Sequence, residues 1–172
     1  PMRVLGLPGI KPATFQWLSE IVDGLQLDAR IQEYDCWRNE PSNKLDLGIE
    51  VPAAIDFEPE LIIAKSIGTL IVLHTSREIQ PSNGYVLIGI GKGFLDNDDR
   101  KAVIDLSQSD IPLLFIQQTS DPACSYRDLC ELLGEDHNAK LVEMPGADHE
   151  YRNQDELVSI INSWIGHNVD TG

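Results

Sequence analysis

Four apolar residues in a row, Leu61-Ile62-Ile63-Ala64, offer no polar face to water. A run so short and unalternating fits a strand buried on both sides, as in parallel sheets whose crossover helices cover each face. Tyr85 to Ile88 and Pro112 to Gln117 read the same way. Strands are also expected over Arg3 to Leu7, Ala29 to Trp37 and Lys140 to Met144. Between the runs the apolar spacing becomes helical. Phe15, Leu18, Ile21, Val22 and Leu25 share one face, and helices are expected over Ile67–Ser76, Asp96–Leu106 and Tyr126–Leu133. Leu157, Val158, Ile161, Trp164 and Ile165 make the face of a last helix that should stop near Gly166. Residues 38–60 carry Pro41, Pro52 and Pro59, so a long loop with at most one short helix is expected there. Alternating elements of this kind imply an α/β class chain: a three-layer αβα sandwich around a mostly parallel, six-stranded sheet. At 172 residues, the whole span 1–172 is expected to form a single domain.

Charge narrows the partners. The net charge is −15 with no Lys/Arg cluster, so neither a nucleic acid nor an anionic membrane surface is an expected partner. No apolar run approaches the roughly 18 residues of a membrane span, and no basic-then-apolar leader precedes the first strand. Cys36, Cys124 and Cys130 match no metal or redox spacing and read as reduced thiols of a cytoplasmic protein. Gly89-Ile90-Gly91-Lys92-Gly93 lacks the spacing of a phosphate loop and reads as a flexible loop, with Gly91 shaping a pocket. No metal or cofactor is expected. The oligomeric state is not legible.

Sites in open parallel sheets form beyond the carboxyl ends of strands. Ala64-Lys65-Ser66-Ile67-Gly68 follows the third strand and opens a helix. In a sharp strand–turn–helix elbow the residues two before and two after the tip must be small, and Ala64 and Gly68 are. Ser66 could there be a nucleophile, or simply the N-cap of the helix. A nucleophile needs a base, and the base an orienting acid. His74 lies roughly 12 Å along the same predicted helix at about 1.5 Å per residue, out of reach. His137 precedes the last strand and His167 follows the last helix. His149, a few residues beyond the last strand, is the candidate base. Asp121, following the strand that ends at Gln117, is the candidate acid; Asp148 is a rival, though adjacent to His149 and poorly placed to orient it. Oxyanion donors would be the N–H groups of Ile67 and Ile10. Pro8 and Gly9 would bring the backbone close to substrate, and Lys65 would line the pocket entrance or be solvated. Trp17, Trp37 and Trp164 read as packing residues.

On Pro8-Gly9, Ala64-Lys65-Ser66-Ile67-Gly68, Ser120-Asp121-Pro122 and Gly146-Ala147-Asp148-His149, the chain resembles the small, cap-less members of the α/β-hydrolase superfamily. The resemblance spans Val4 to Trp164. It departs at Ala64, where glycine is usual, and at Pro8, where many relatives carry histidine. It implies a minimal fold lacking the first two strands and the lid insertion. It also implies a serine hydrolase cleaving a small carboxylic ester or thioester through an acyl-enzyme, with a small-molecule acyl substrate as partner. Without a lid, long acyl chains should be little preferred. The competing expectation is a binding or interaction protein on the same fold that has lost catalysis. A flavodoxin-like nucleotide binder is a third, disfavoured by the few free N–H groups of Pro8 to Pro12.

Overall fold

The computed structural model describes residues 1–38 and 41–169. Six strands form one sheet in which every pairing is parallel: β1 (Val4–Leu7), β2 (Ala29–Ile31), β3 (Leu61–Lys65), β4 (Tyr85–Ile88), β5 (Leu113–Gln118) and β6 (Lys140–Met144). Their order is β2-β1-β3-β4-β5-β6, so the chain reverses its direction of travel across the sheet after β2. Among the described residues five α-helices connect them, α1 (Ala13–Gly24), α2 (Leu47–Asp56), α3 (Ile67–Thr75), α4 (Asn97–Gln108) and α5 (Tyr126–Leu133), and α6 (Gln154–Asn168) follows β6. The expected α/β three-layer sandwich is what forms.

Side-chain alternation sorts the sheet into two cores. Leu5, Leu7, Ile62, Ala64, Tyr85, Leu87, Leu113 and Phe115 face α2 to α5. Val4, Leu61, Ile63, Val86, Ile88, Leu114, Ile116 and Met144 face α1 and α6. Both sets of these strand residues are buried, which is why β3, β4 and β5 read as unbroken apolar runs. The register aligns Leu7 with Ala64, Lys65 with Ile88 and Ile88 with Ile116. The carboxyl ends of β1, β3, β4 and β5 therefore finish level, and the loops after them meet at one edge.

Three expectations are corrected. The second strand spans only Ala29–Ile31 rather than Ala29–Trp37. Its last ladder bond runs from Gln32 N–H to the Gly6 carbonyl (2.9 Å); beyond that β1 enters Pro8, which has no N–H to offer. The chain instead folds into a single 3₁₀ turn over Asp35–Trp37. Within 38–60, of which residues 39 and 40 lie outside the described residues, the helix is a full ten residues long. Asp46 caps it by accepting from Gly48 N–H at 2.9 Å. Pro52 inside it removes one helical N–H, and burial of Val51 and Ala54 offsets that loss. The last helix runs past Gly166 to Asn168.

Candidate active site

Ser66 sits between β3 and α3 with φ 53° and ψ −115°, a conformation costly for a residue bearing Cβ. The elbow is held on both sides. Its N–H donates to the Ile88 carbonyl at 2.9 Å, and its carbonyl accepts from the Thr69 hydroxyl at 2.5 Å. The following helix is buried on most of its surface, including Gly68, Thr69, Ile71 and Leu73, so the elbow rests on a rigid element. Gly68 is obligatory. A Cβ there would land on the Leu7 carbonyl oxygen, with Leu7 C and Pro8 O each 2.9 Å away. Because the obstacle is backbone, Gly68→Ala is expected to destabilise the chain by about 1–3 kcal/mol. Thermal unfolding should show this as a fall in Tm of roughly 3–10 °C.

The N-cap alternative for Ser66 does not hold, because its hydroxyl makes no capping bond to the helix. Ser66 Oγ lies 2.6 Å from His149 Nε2. His149 Nδ1 lies 2.8 Å from Asp121 Oδ2 and 3.0 Å from Oδ1. The Asp121 carboxylate thus fixes the tautomer with hydrogen on Nδ1, leaving Nε2 to accept from the serine hydroxyl. Asp121 is buried and also accepts from Ala123 N–H (2.8 Å) and the Tyr151 hydroxyl (2.8 Å). Burial pushes its carboxyl pKa up, but the hydrogen bonds from His149, Ala123 and Tyr151 outweigh that and hold it below the usual carboxylate value. Asp148 does not touch the imidazole. It accepts from Gln118 Nε2, Glu150 N–H and Arg152, and so organises the loop that carries His149. The other histidines are elsewhere, His74 against Asp99 and His167 on the Ser163 carbonyl.

Ile10, Ser66 and Ile67 wall one pocket of about 280 Å³, whose remaining lining is Leu45, Leu47, Leu70, Phe94 and Asn43. The loop after β1 is pinned by all three of its carbonyls. Pro8 O accepts from the Tyr34 hydroxyl (2.5 Å), Gly9 O from Thr14 Oγ1 (3.0 Å) and Ile10 O from Trp37 Nε1 (2.7 Å). Neither Ile10 nor Ile67 N–H donates to another group among the described residues. Trp37 is therefore more than packing.

The other expected pocket residues fall outside this lining. Pro8 and Gly9 lie behind it, though a Cβ on Gly9 would come within 3.7 Å of Ser66 Cβ. Gly91 packs under Phe94, where a Cβ would come within 2.6 Å of that ring. The loop 89–93 is tied down rather than free: Ile90 exchanges two bonds with the Gln117 side chain (3.1 and 3.0 Å), and Lys92 N–H reaches the Ala123 carbonyl (3.1 Å). Lys65 is neither at an entrance nor solvated. It is 3% exposed and donates to the His149 carbonyl at 2.8 Å. A larger hollow of about 590 Å³, along β6 and α6, holds none of these groups.

Tyr151 is a site residue that the sequence does not announce. It has φ 53°, is fully buried, donates to Asp121 and accepts from Gln118 N–H at 2.8 Å. Gly89, at φ 63°, makes room for its ring: a Cβ there would meet Tyr151 Cε1 at 2.8 Å. Only its place two residues beyond His149 hints at the role. Among the described residues no group of acidic, histidine or cysteine side chains could hold a metal ion.

The comparisons with known proteins agree with this architecture. The family model described as TAP-like protein, of the α/β-hydrolase type, matches residues 95–164. No curated protein matches the sequence. Solved structures match by fold at low identity. An esterase domain from a Rhodothermus marinus protein superposes with TM-score 0.71 at 16% identity, covering 98% of this chain and 88% of its own. The ydeN gene product of B. subtilis gives 0.68 at 15%, covering 96% and 100%. An alpha-beta serine hydrolase homologue from Coxiella burnetii gives 0.67 at 15%, covering 94% and 83%. The sheet order, the elbow at Ser66 and these superpositions together give the chain the fold of the α/β-hydrolase superfamily.

Proposed function

We propose that the protein is a serine hydrolase that cleaves a small carboxylic ester or thioester through an acyl-enzyme on Ser66. The observation that carries the reading is the hydrogen-bonded series Ser66 Oγ–His149 Nε2 (2.6 Å) and His149 Nδ1–Asp121 (2.8 Å). Its elements come from three separate loops and have no common purpose in packing. In the proposed reaction His149 takes the Ser66 proton as Oγ attacks the substrate carbonyl. Asp121 holds the imidazole and stabilises the imidazolium that forms. The N–H groups of Ile10 and Ile67 receive the oxyanion. His149 returns the proton to the departing alcohol or thiol, and water then attacks the acyl-Ser66 ester by the same steps.

Leu45, Leu47, Leu70 and Phe94 give the acyl group an apolar wall. The pocket holds only about 280 Å³, so p-nitrophenyl butyrate should be a better substrate than the laurate by kcat/KM. Rapid mixing should show a burst of nitrophenol equal to the enzyme concentration if acyl-enzyme accumulates. A steep rise in kcat/KM from C4 to C12 esters contradicts the small acyl group; no turnover of any ester by folded protein contradicts the hydrolase reading. Among the described residues no helix is long and apolar enough to cross a membrane. The three cysteines are unpaired, in keeping with the reducing cytoplasm as the place of action.

A further inference from the structure

Lys65 directly precedes the serine, and its side chain points to the opposite face of the sheet from Ala64, toward α1 and α6. There it is 3% exposed. Its Nζ donates to the backbone carbonyl of His149 at 2.8 Å. It also stands 5.2 Å from the centroid of the Tyr151 ring and 5.9 Å from that of Trp17. Trp17 Nε1 in turn holds the Tyr151 carbonyl at 3.1 Å. Among the described residues no carboxylate is within ion-pair distance of Nζ. A buried ammonium with two aromatic faces and one carbonyl as its near neighbours is a costly arrangement for a fold to keep.

We propose that Lys65 is a positioning residue for the base: its ammonium clamps the main chain at His149 and so holds the imidazole over Ser66. The proposal rests on the hydrolase reading for its kinetic consequences, though not for its geometry. The clamp ties the residue beside the nucleophile to the residue bearing the base. It does so across the gap between β3 and the β6–α6 loop, where no ladder bond runs. The contact is to backbone, so it sets where the ring stands without competing for its nitrogens.

Burial lowers the Lys65 pKa from 10.5 to about 8, against the raising influence of Asp121, Glu150 and Asp148; Lys11 lowers it a little further. These charges come from the β5–α5, β6–α6 and β1–α1 loops, and the ionisable residues His149 and Tyr151 also stand beside it. In the folded chain the proton leaves near pH 8, in the unfolded chain near 10.5. The unfolded state therefore binds more protons between those values, and stability rises with pH across that window. At pH 7 the buried charge is a full cost to folding.

The test is Lys65→Met, which keeps most of the side-chain length and removes the charge and the donor. At pH 7 its Tm should equal or exceed that of wild type. The kcat for p-nitrophenyl butyrate should fall about 10- to 100-fold with KM within about twofold, since a misplaced base costs the transition state and not substrate binding. Wild-type kcat should decline above pH 8 as the clamp loses its charge, and Lys65→Met should lack that limb. Lys65→Gln, a second variant with a neutral donor, should recover part of kcat and also lack the limb. Proton NMR of the His149 Nδ1–H supplies a readout that needs no turnover: the low-field resonance should exchange faster with water in Lys65→Met. Wild type inert toward esters would sink the hydrolase reading, and the ring proton would still decide the clamp. A folded Lys65→Met with wild-type kcat and pH profile, or with an unchanged ring proton, overturns the proposal.

Discussion

Replacing Ser66 with alanine is expected to lower kcat toward small esters by on the order of 10⁵- to 10⁶-fold, the loss typical when a triad nucleophile is removed. A small rate above that in water should survive from the pocket and the two backbone donors alone. The fold should tolerate the change. Among the described residues the Ser66 hydroxyl has one partner, His149 Nε2, and it gives no cap to α3. Alanine can occupy the same strained backbone at no greater steric cost than serine. The lost hydrogen bond is worth about 0.5–1.5 kcal/mol net, so Tm should move by only a few degrees in a chain this size. Steady-state kinetics with a folded, thermally stable Ser66→Ala protein is the check. A variant that keeps a tenth of wild-type activity would place the nucleophile elsewhere.

Asp121→Asn should cost about 10⁴-fold in kcat, as wrong-tautomer substitutions do in such triads. Among the described residues all three partners of this carboxylate are donors: His149 Nδ1, Ala123 N–H and the Tyr151 hydroxyl. An amide NH₂ must oppose one of them. Facing His149, it drives the ring to the tautomer with hydrogen on Nε2, which cannot accept from Ser66. Turned the other way, it confronts Ala123 N–H or a tyrosine hydroxyl already accepting from Gln118. The substitution should also alter acid stability. The Asp121 carboxyl is held below its ordinary pKa in the folded chain, so its contribution is present above the unfolded value, about 3.9, and is lost as pH falls through the lowered one. Thermal unfolding from pH 7 to pH 3 should therefore be less pH-dependent in Asp121→Asn than in wild type. An equal dependence in both would contradict the hydrogen-bonded carboxylate.

The sheet was legible because its strands are buried on both faces, which leaves an unbroken apolar signature at Leu61–Ala64 and Tyr85–Ile88. Strand ends gave the places of Ser66, Asp121 and His149, since parallel sheets gather their loops at one edge. The rest depends on groups far apart in sequence. Tyr34, Thr14 and Trp37 each hold a carbonyl of the loop 8–10, and no local pattern announces such partners. The true end of β2 is set by Pro8, just beyond the end of the neighbouring β1, not by any residue of its own. Lys65 reads in sequence as lining the pocket entrance or solvated, because lysine is nearly always exposed; it is buried here only because alternation along β3 turns it toward Trp17 and Tyr151. Gln117 and Gln118, two polar residues at the end of a buried strand, are a clue that apolar periodicity passes over. Their amides tie down the loops on either side, to Ile90 and Cys124 in one case and to Asp148 in the other.

The central claim is that Ser66 is an activated serine. The direct measurement is labelling of the folded protein with a fluorophosphonate, followed by mass spectrometry of the modified peptide. One adduct per chain is expected, on Ser66, absent in Ser66→Ala and strongly slowed in His149→Ala. A folded wild-type chain that takes no label, or takes it on another residue, would contradict the claim and leave the Ser66–His149–Asp121 series as a feature of a binding protein.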